Sequence, residues 1–439
     1  HSVTNNNGVA AAIKAVSDRK GVFIFRAKNG AGSNNWDGVR LRWDYESDEV
    51  ESITPATIVN VFAVEMVFVP KASFQAGDHA ASVAAFRQEP SDTDPWKIKS
   101  ESAISVTKSG SDDFFYVSAG NAGEDATGSK FTIPKSFPKG YSAFYMMKHE
   151  ITQGQYADFL NLLTRPQQNA RTATQSGDQF VMSNTSNVSF RNGIRAPSFP
   201  GAGAIKFGTD LNGNGIFEES NDGQNLACNF LSWTDAAAYA DWAGLRPITE
   251  LEYEKACRGA SESPWNKSAI AGEYAWGNIN ITAFSYALAA GTANNANEVV
   301  SNPALEPTGN AAYQATIGGS INGPLRTGLF ATGSSTRNTA GASFYGFMEL
   351  SGNNAERVVT VGNATGRKFT NKHGDGKLDV NGNANVSNWP GTSGVGAGIR
   401  GGGWRAAAAD LRVSDRRQAA FANNLRDDNI GFRAVRSAP

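Results

Sequence analysis

The 439-residue sequence predicts an α+β fold with few helices and much irregular loop, preceded by a short β-rich N-terminal segment. Three observations lead there. Short runs of β-branched and aromatic residues, Val22–Arg26, Val39–Tyr45 and Thr57–Val69, read as strands. Only a few stretches join a capping residue to helical spacing of apolar side chains. The rest is rich in glycine (47 residues) and asparagine, and charged residues make up 18 %, below the usual quarter. Such composition is common among secreted and surface proteins.

Taken in order, residues 1–60 form the β-rich segment and residues 61–439 the main domain. His1–Asn7 is polar, and the Asn29–Asn35 cluster separates the first two strands as a turn. Three strands are too few for a self-contained sandwich, so they either extend the main sheet or leave edges that another chain can pair with. Residues 79–140 read as a surface insertion. Thr152 and Gln155 form a capping box, and Tyr156, Phe159, Leu160 and Leu163 give the following helix one apolar face as far as Thr164. Arg165–Ala227 is expected to be mostly loop. Within it, Asp210, Asn212, Asn214, the Ile216 carbonyl and Glu218 are spaced like the start of an EF-hand calcium loop, with glycine at the sixth position. Asn221 stands where that loop needs a bidentate glutamate, and an ordinary Asn-Gly turn pair is the alternative.

Ser232 or Thr234 caps a helix over Asp235–Ala243 that Gly244 ends, and Thr249 with Glu252 caps the next. Tyr239, Trp242 and Tyr253 are expected in the core, and Arg246 between the helices is expected to pair with Glu252 and Glu254. An Asn/Ala/Gly-rich stretch to Ala342 carries Trp265 and Trp276 as packing anchors, and the loop from His373 to Asn383 reads as solvated turns. The chain then reaches Ile399–Arg436: three glycines and Trp404, a polar middle, and Gly431-Phe432-Arg433. That middle is too polar for a buried strand and reads as a displayed loop held by apolar ends.

The Gly-Gly-x-Trp opening and the Asn-x-Gly-Phe-Arg close of this run resemble the formylglycine-generating enzyme (sulfatase-modifying factor) family. Four further blocks share the resemblance in order: Val61–Asp78, Phe144–Leu160, Leu231–Ala260 and Tyr345–Arg357. The resemblance implies a divergent C-type-lectin-type fold, but a fold does not fix a function. The family's enzymes place two copper-binding cysteines after the glycines, and Ala406 and Leu411 stand at those positions. Neither can ligate a metal or act as a nucleophile, so no catalytic residue and no copper are expected. Glu349-Leu-Ser-Gly-Asn-Asn-Ala-Glu356 is similar to the family loop that wraps a structural calcium. Carried over by position, its ligands would be Glu349, the Gly352 and Asn354 carbonyls and Glu356, with a capped turn without metal as the alternative. Ala355 replaces the tryptophan that usually precedes the glutamate.

The two cysteines, Cys228 and Cys257, bracket one of these blocks. A disulfide is expected, with two buried thiols as the alternative. The histidines, at 1, 79, 149 and 373, show no metal-ligand spacing, and no phosphate loop, nucleophile elbow or dinucleotide fingerprint occurs. A net charge of −1 gives no electrostatic footprint for nucleic acid, and no apolar run is long enough for membrane insertion. A start at His1 reads as a mature terminus left after a signal peptide or a tag was removed, and a secreted or cell-surface protein is expected. Two functions fit: a non-catalytic structural subunit that assembles with itself into a filament or layer, or a display protein that binds a surface protein or glycan. Trp404, Arg405, Asp410, Arg417, Phe421, Asn423 and Arg426 would form the contact surface of the second. A formylglycine-generating oxidase is the remote third.

Overall fold

The computed structural model describes all residues except 1, 6–9, 17, 19–20, 29–34, 47–49, 90–92, 109–112, 320 and 439. The Asn29–Asn35 turn, apart from Asn35, and part of the His1–Asn7 run therefore lie outside the described residues. The chain forms two units, residues 1–64 and 65–438.

In the first unit, Ser2–Asn5 pairs antiparallel with Trp36–Arg40, and Ala11–Ala15 with Val22–Arg26, as two separate two-stranded sheets. The expected second strand thus lies earlier than Val39–Tyr45, ending at Arg40. The expected strand over Thr57–Val69 shrinks to Met66–Val69. Residues 57–65 have β-forming side chains but pair with no strand among the described residues, and a strand without a ladder leaves its backbone groups to water.

The second unit holds α1 (Gln153–Leu160), α2 (Arg165–Arg171), α3 (Trp233–Trp242) and α4 (Glu250–Arg258). Capping decides where they begin. Thr152, Ser232 and Thr249 each accept a backbone N–H from the residue three positions on, and that residue's side chain answers the cap's own N–H. Gly244, at φ +65°, ends the turn after α3 in a left-handed conformation. Helix α2 replaces a stretch expected to be loop. It has no apolar stripe; buried Gln168 holds it by bonding the Leu160 and Ile205 carbonyls.

Four antiparallel strands follow the order Arg246–Pro247, Ala434–Ser437, Phe144–Met147 and Met66–Val69. A three-stranded sheet sets Ala355–Val359 between Ala397–Arg400 and Ile430–Gly431. The core joins one face of α4, through Tyr253 and Cys257, to Val69, Phe144, Val358 and Val435. Residues 79–140 are more than a surface excursion. Four of their strands pair in a sheet of their own, Trp96–Ile98 pairs instead with Phe74–Ala76, and fully buried Phe86, Trp96 and Tyr116 pack inside the unit.

Candidate functional site in the C-terminal segment

Strand Ala397–Arg400 delivers the chain to Gly401 and Gly402, both at positive φ. A Cβ on Gly401 would lie 2.8 Å from the Leu350 carbonyl oxygen, so the close approach excludes a side chain. Trp404 then turns inward. It is buried against Leu325, Leu329 and Phe330 and donates its indole N–H to the Asp428 carbonyl at 2.8 Å. It is an anchor and not a contact residue, correcting the sequence expectation.

The other expected contact residues divide. Arg426 also turns inward: it hydrogen-bonds the Ala170 carbonyl and Asp235 Oδ1 and forms an ion pair with Oδ2, a carboxylate that its Ser232 cap holds at the start of α3. Asn423 is spent on structure, its carbonyl accepting from Arg357 and its side-chain oxygen from the Leu425 N–H. Phe421 packs against Ala355, Ile399 and Ile430. Arg405 and Arg417 remain half exposed. Arg405 pairs with Asp428 at 2.5 Å and lies over Phe190, and Arg417 pairs with Asp410.

Asp410 and Arg417 line a cavity of about 270 Å³ with Asp415 and Gln418, over a floor of Ala355 and Ile399. Sequence reasoning missed Asp415, one of many acidic residues in a polar run. Only the fold shows that it is 6 % exposed. Burial pushes its carboxyl above the ordinary range.

At the two positions expected to lack thiols, Ala406 is partly covered and Leu411 is fully buried against Tyr274, Trp276, Ala311 and Tyr313. Ala407 alone of the alanine run is well exposed, so Ala406–Ala409 does not form a wide bare surface. Cys228 and Cys257 are free, which corrects the expected disulfide. Cys257 faces the core cluster from α4, while Cys228 pairs its backbone N–H with Ile151 and lies near Asp235. The sequence block they bracket folds around different neighbours at its two ends.

The side chains of the Asp210 loop bond mostly within the loop and to Arg195, and Asp210 Oδ1 is buried without a hydrogen-bond partner. Asp210 Oδ2 takes the Arg195 guanidinium and the Gly215 N–H. The side-chain oxygens of Asn212 and Asn214 accept backbone N–H groups two residues on, and both amides donate to Glu219. Ile216 and Glu218 sit in the same self-bonded turn, Glu218 accepting the Thr209 N–H. These are the side-chain to backbone bonds of an Asn-Gly turn pair.

The Glu349–Glu356 loop is different. Glu349, at φ +56°, accepts the Gly328 N–H with one oxygen, and its other oxygen has no hydrogen bond. Glu356 accepts Arg433 Nε at 2.6 Å and keeps one buried oxygen unpaired, as does the side chain of Asn354. Buried Glu150, which no sequence motif singles out, holds the loop by accepting the Asn354 N–H and the Asn353 amide. Burial pushes Glu356 up to about 7 against the pull of Arg433, and burial followed by the Glu349 charge raises Glu150. Three carboxyls therefore share one guanidinium. Among the described residues no three His, Cys, Asp or Glu side chains form a ready metal cluster, so a cation here would draw on backbone carbonyls or water as well.

Elsewhere the expected Arg246–Glu252 pair forms with two hydrogen bonds, 2.9 and 2.6 Å. Glu254 turns away from Arg246 and joins Arg258 and Arg400. No helix among the described residues is long and apolar enough to cross a membrane.

The short capped helices, the mixed sheets and the glycine-led C-terminal segment define a domain of the formylglycine-generating-enzyme, C-type-lectin-like α+β class. The chain belongs to the sulfatase-modifying factor enzyme 1-like domain family, which it matches over residues 100–438. Among solved structures it is similar to Treponema denticola variable protein 1, at 13 % identity and a TM-score of 0.36, covering 88 % of this chain and 100 % of that one. It is also similar to CarF, at 15 % identity and a TM-score of 0.32, covering 86 % and 99 %. No curated protein matches the sequence.

Proposed function

We propose that this protein is a non-catalytic member of its family, secreted or held at the cell surface, whose scaffold assembles with copies of itself. The observation that carries this reading is the segment before the main unit. Ile53, Ile58, Val59 and Val61 are 46–84 % exposed on chain with no regular structure. A β-rich, uncharged apolar run of this kind is what a neighbour's sheet edge accepts as an added strand. The two-stranded sheets of the first unit point the same way, since isolated two-stranded sheets are marginal in water. The lack of thiols at Ala406 and Leu411 supports the non-catalytic part.

The test is electron microscopy and light scattering of the full chain beside an Ile58→Asp, Val61→Asp variant. Polymers from the parent protein and folded monomers from the variant are expected. A parent protein that stays monomeric at high concentration would sink the reading and leave ligand display as the alternative.

The Glu349–Glu356 loop fits a structural calcium ion, held by Glu349 and Glu356 and by carbonyls such as those of Gly352 and Asn354. When bound, a cation would offset the crowded carboxylates, and binding to the folded state alone stabilises by mass action. Chelator should lower the melting temperature by several degrees, and Glu356→Ala should remove that response. A melt unaffected by both calcium and chelator would assign the loop to an ordinary capped turn.

A further inference from the structure

Beyond assembly, we infer that the cavity between the Asp410–Gln418 loop and the central three-stranded sheet is a binding site for a guanidinium or alkylammonium head group. The cavity measures about 270 Å³, room for a small head group and not for a folded segment. Asp415 is nine-tenths buried in its wall. One carboxylate oxygen accepts the Arg417 N–H, and the other has no hydrogen-bond partner. An unpaired buried carboxylate oxygen is costly, and a cationic donor removes the cost.

The two guanidinium groups that line the cavity, Arg400 and Arg417, are held in ion pairs, and Arg400 Nε is buried without a hydrogen bond. Arg417 is engaged by Asp410, and Arg400 by Glu250, Glu254 and the Val413 carbonyl. Ala355 and Ile399 leave an apolar floor for the methylene stem that follows such a head group. The same chemistry comes from a free amine or guanidine, or from a Lys or Arg side chain of a peptide.

Isothermal titration of the full chain tests this with two probes, agmatine for the free compound and Nα-acetylarginine methylamide for the peptide side chain. Saturable binding of at least one is expected, and the tighter of the two identifies the source. The neutral citrulline analogue should bind at least tenfold more weakly, a comparison that needs no variant. Asp415→Asn should weaken the arginine probe by a similar factor, and Ala355→Trp should abolish binding by filling the floor. The assignment is overturned if neither probe saturates, if citrulline matches arginine, or if folded Asp415→Asn and Ala355→Trp both bind as the parent does. None of these outcomes depends on the state of assembly.

Discussion

Glu250→Gln is expected to destabilise the main unit by about 3–5 kcal/mol, a large share of the roughly 5–15 kcal/mol that holds a domain together. Glu250 is fully buried at the start of α4 and is the acceptor on which the surrounding charges converge. One oxygen takes the Thr360 hydroxyl, the Val361 N–H and Arg416 Nη2, and the other takes Arg400 Nη1 at 2.9 Å and Arg416 Nε at 2.7 Å. Arg416 in turn lies 4.2 Å from the Phe86 ring centre and donates to the Ala84 and Val117 carbonyls, tying residues 79–140 to the C-terminal segment. Glutamine keeps the shape but removes the charge and turns one acceptor into a donor. Arg416 then has no carboxylate, while Arg400 keeps Glu254. Urea unfolding measures the loss, and a difference below about 1 kcal/mol would show that the network contributes little net stability.

The same carboxyl sets a pH dependence. Burial alone would raise it, but the Arg416 and Arg400 guanidinium groups outweigh burial and hold it below its ordinary 4.5. A group depressed in the folded state binds more protons when unfolded. Its contribution is therefore complete above about pH 4.5 and lost as acid carries the folded protein through the lower value.

Leu411→Ala should cost about 3 kcal/mol, within the roughly 2–5 kcal/mol range of buried leucine truncations. Leu411 is fully buried among Tyr274, Trp276, Ala311 and Tyr313, while its carbonyl accepts the Ser351 hydroxyl. Those rings are themselves fixed: Tyr274 stacks on Trp276 at 4.8 Å, and the Trp276 indole bonds Asn278 and the Asn280 carbonyl. A pocket walled by such constrained groups collapses poorly, so the cavity penalty persists. Scanning calorimetry should show the drop. A loss under 1 kcal/mol would mean that the 408–411 turn simply closes over the gap.

The helices were legible because their determinants are local. Thr152, Ser232 and Thr249 announce themselves within four residues, and the Arg246–Glu252 pair spans six. Helix α2 was not, because its stability comes from Gln168 reaching carbonyls 8 and 37 residues away. The strand expected over residues 57–65 failed for the converse reason: side-chain preference was present and a pairing partner among the described residues was not. In the C-terminal segment the residue types suggested contact, yet Trp404 and Arg426 serve the interior. An arginine that reaches Asp235, 191 positions away, looks no different in sequence from one that faces solvent. Asp415 was hidden by the same limit.

The antiparallel strand Ala434–Ser437 lies between Phe144–Met147 and Arg246–Pro247, and Arg433 beside it bonds Glu356 and the Met348 carbonyl. A ribosome releases these residues more than 360 positions after Met66–Val69. Met66–Val69 meets its neighbour Phe144–Met147 early, while the inner strand Ala434–Ser437, which joins that pair to Arg246–Pro247, is the last of the four to emerge. Until it does, α4 has its caps but lacks the Val435 side of its core, so the four-stranded sheet closes only once residues 434–437 are in place.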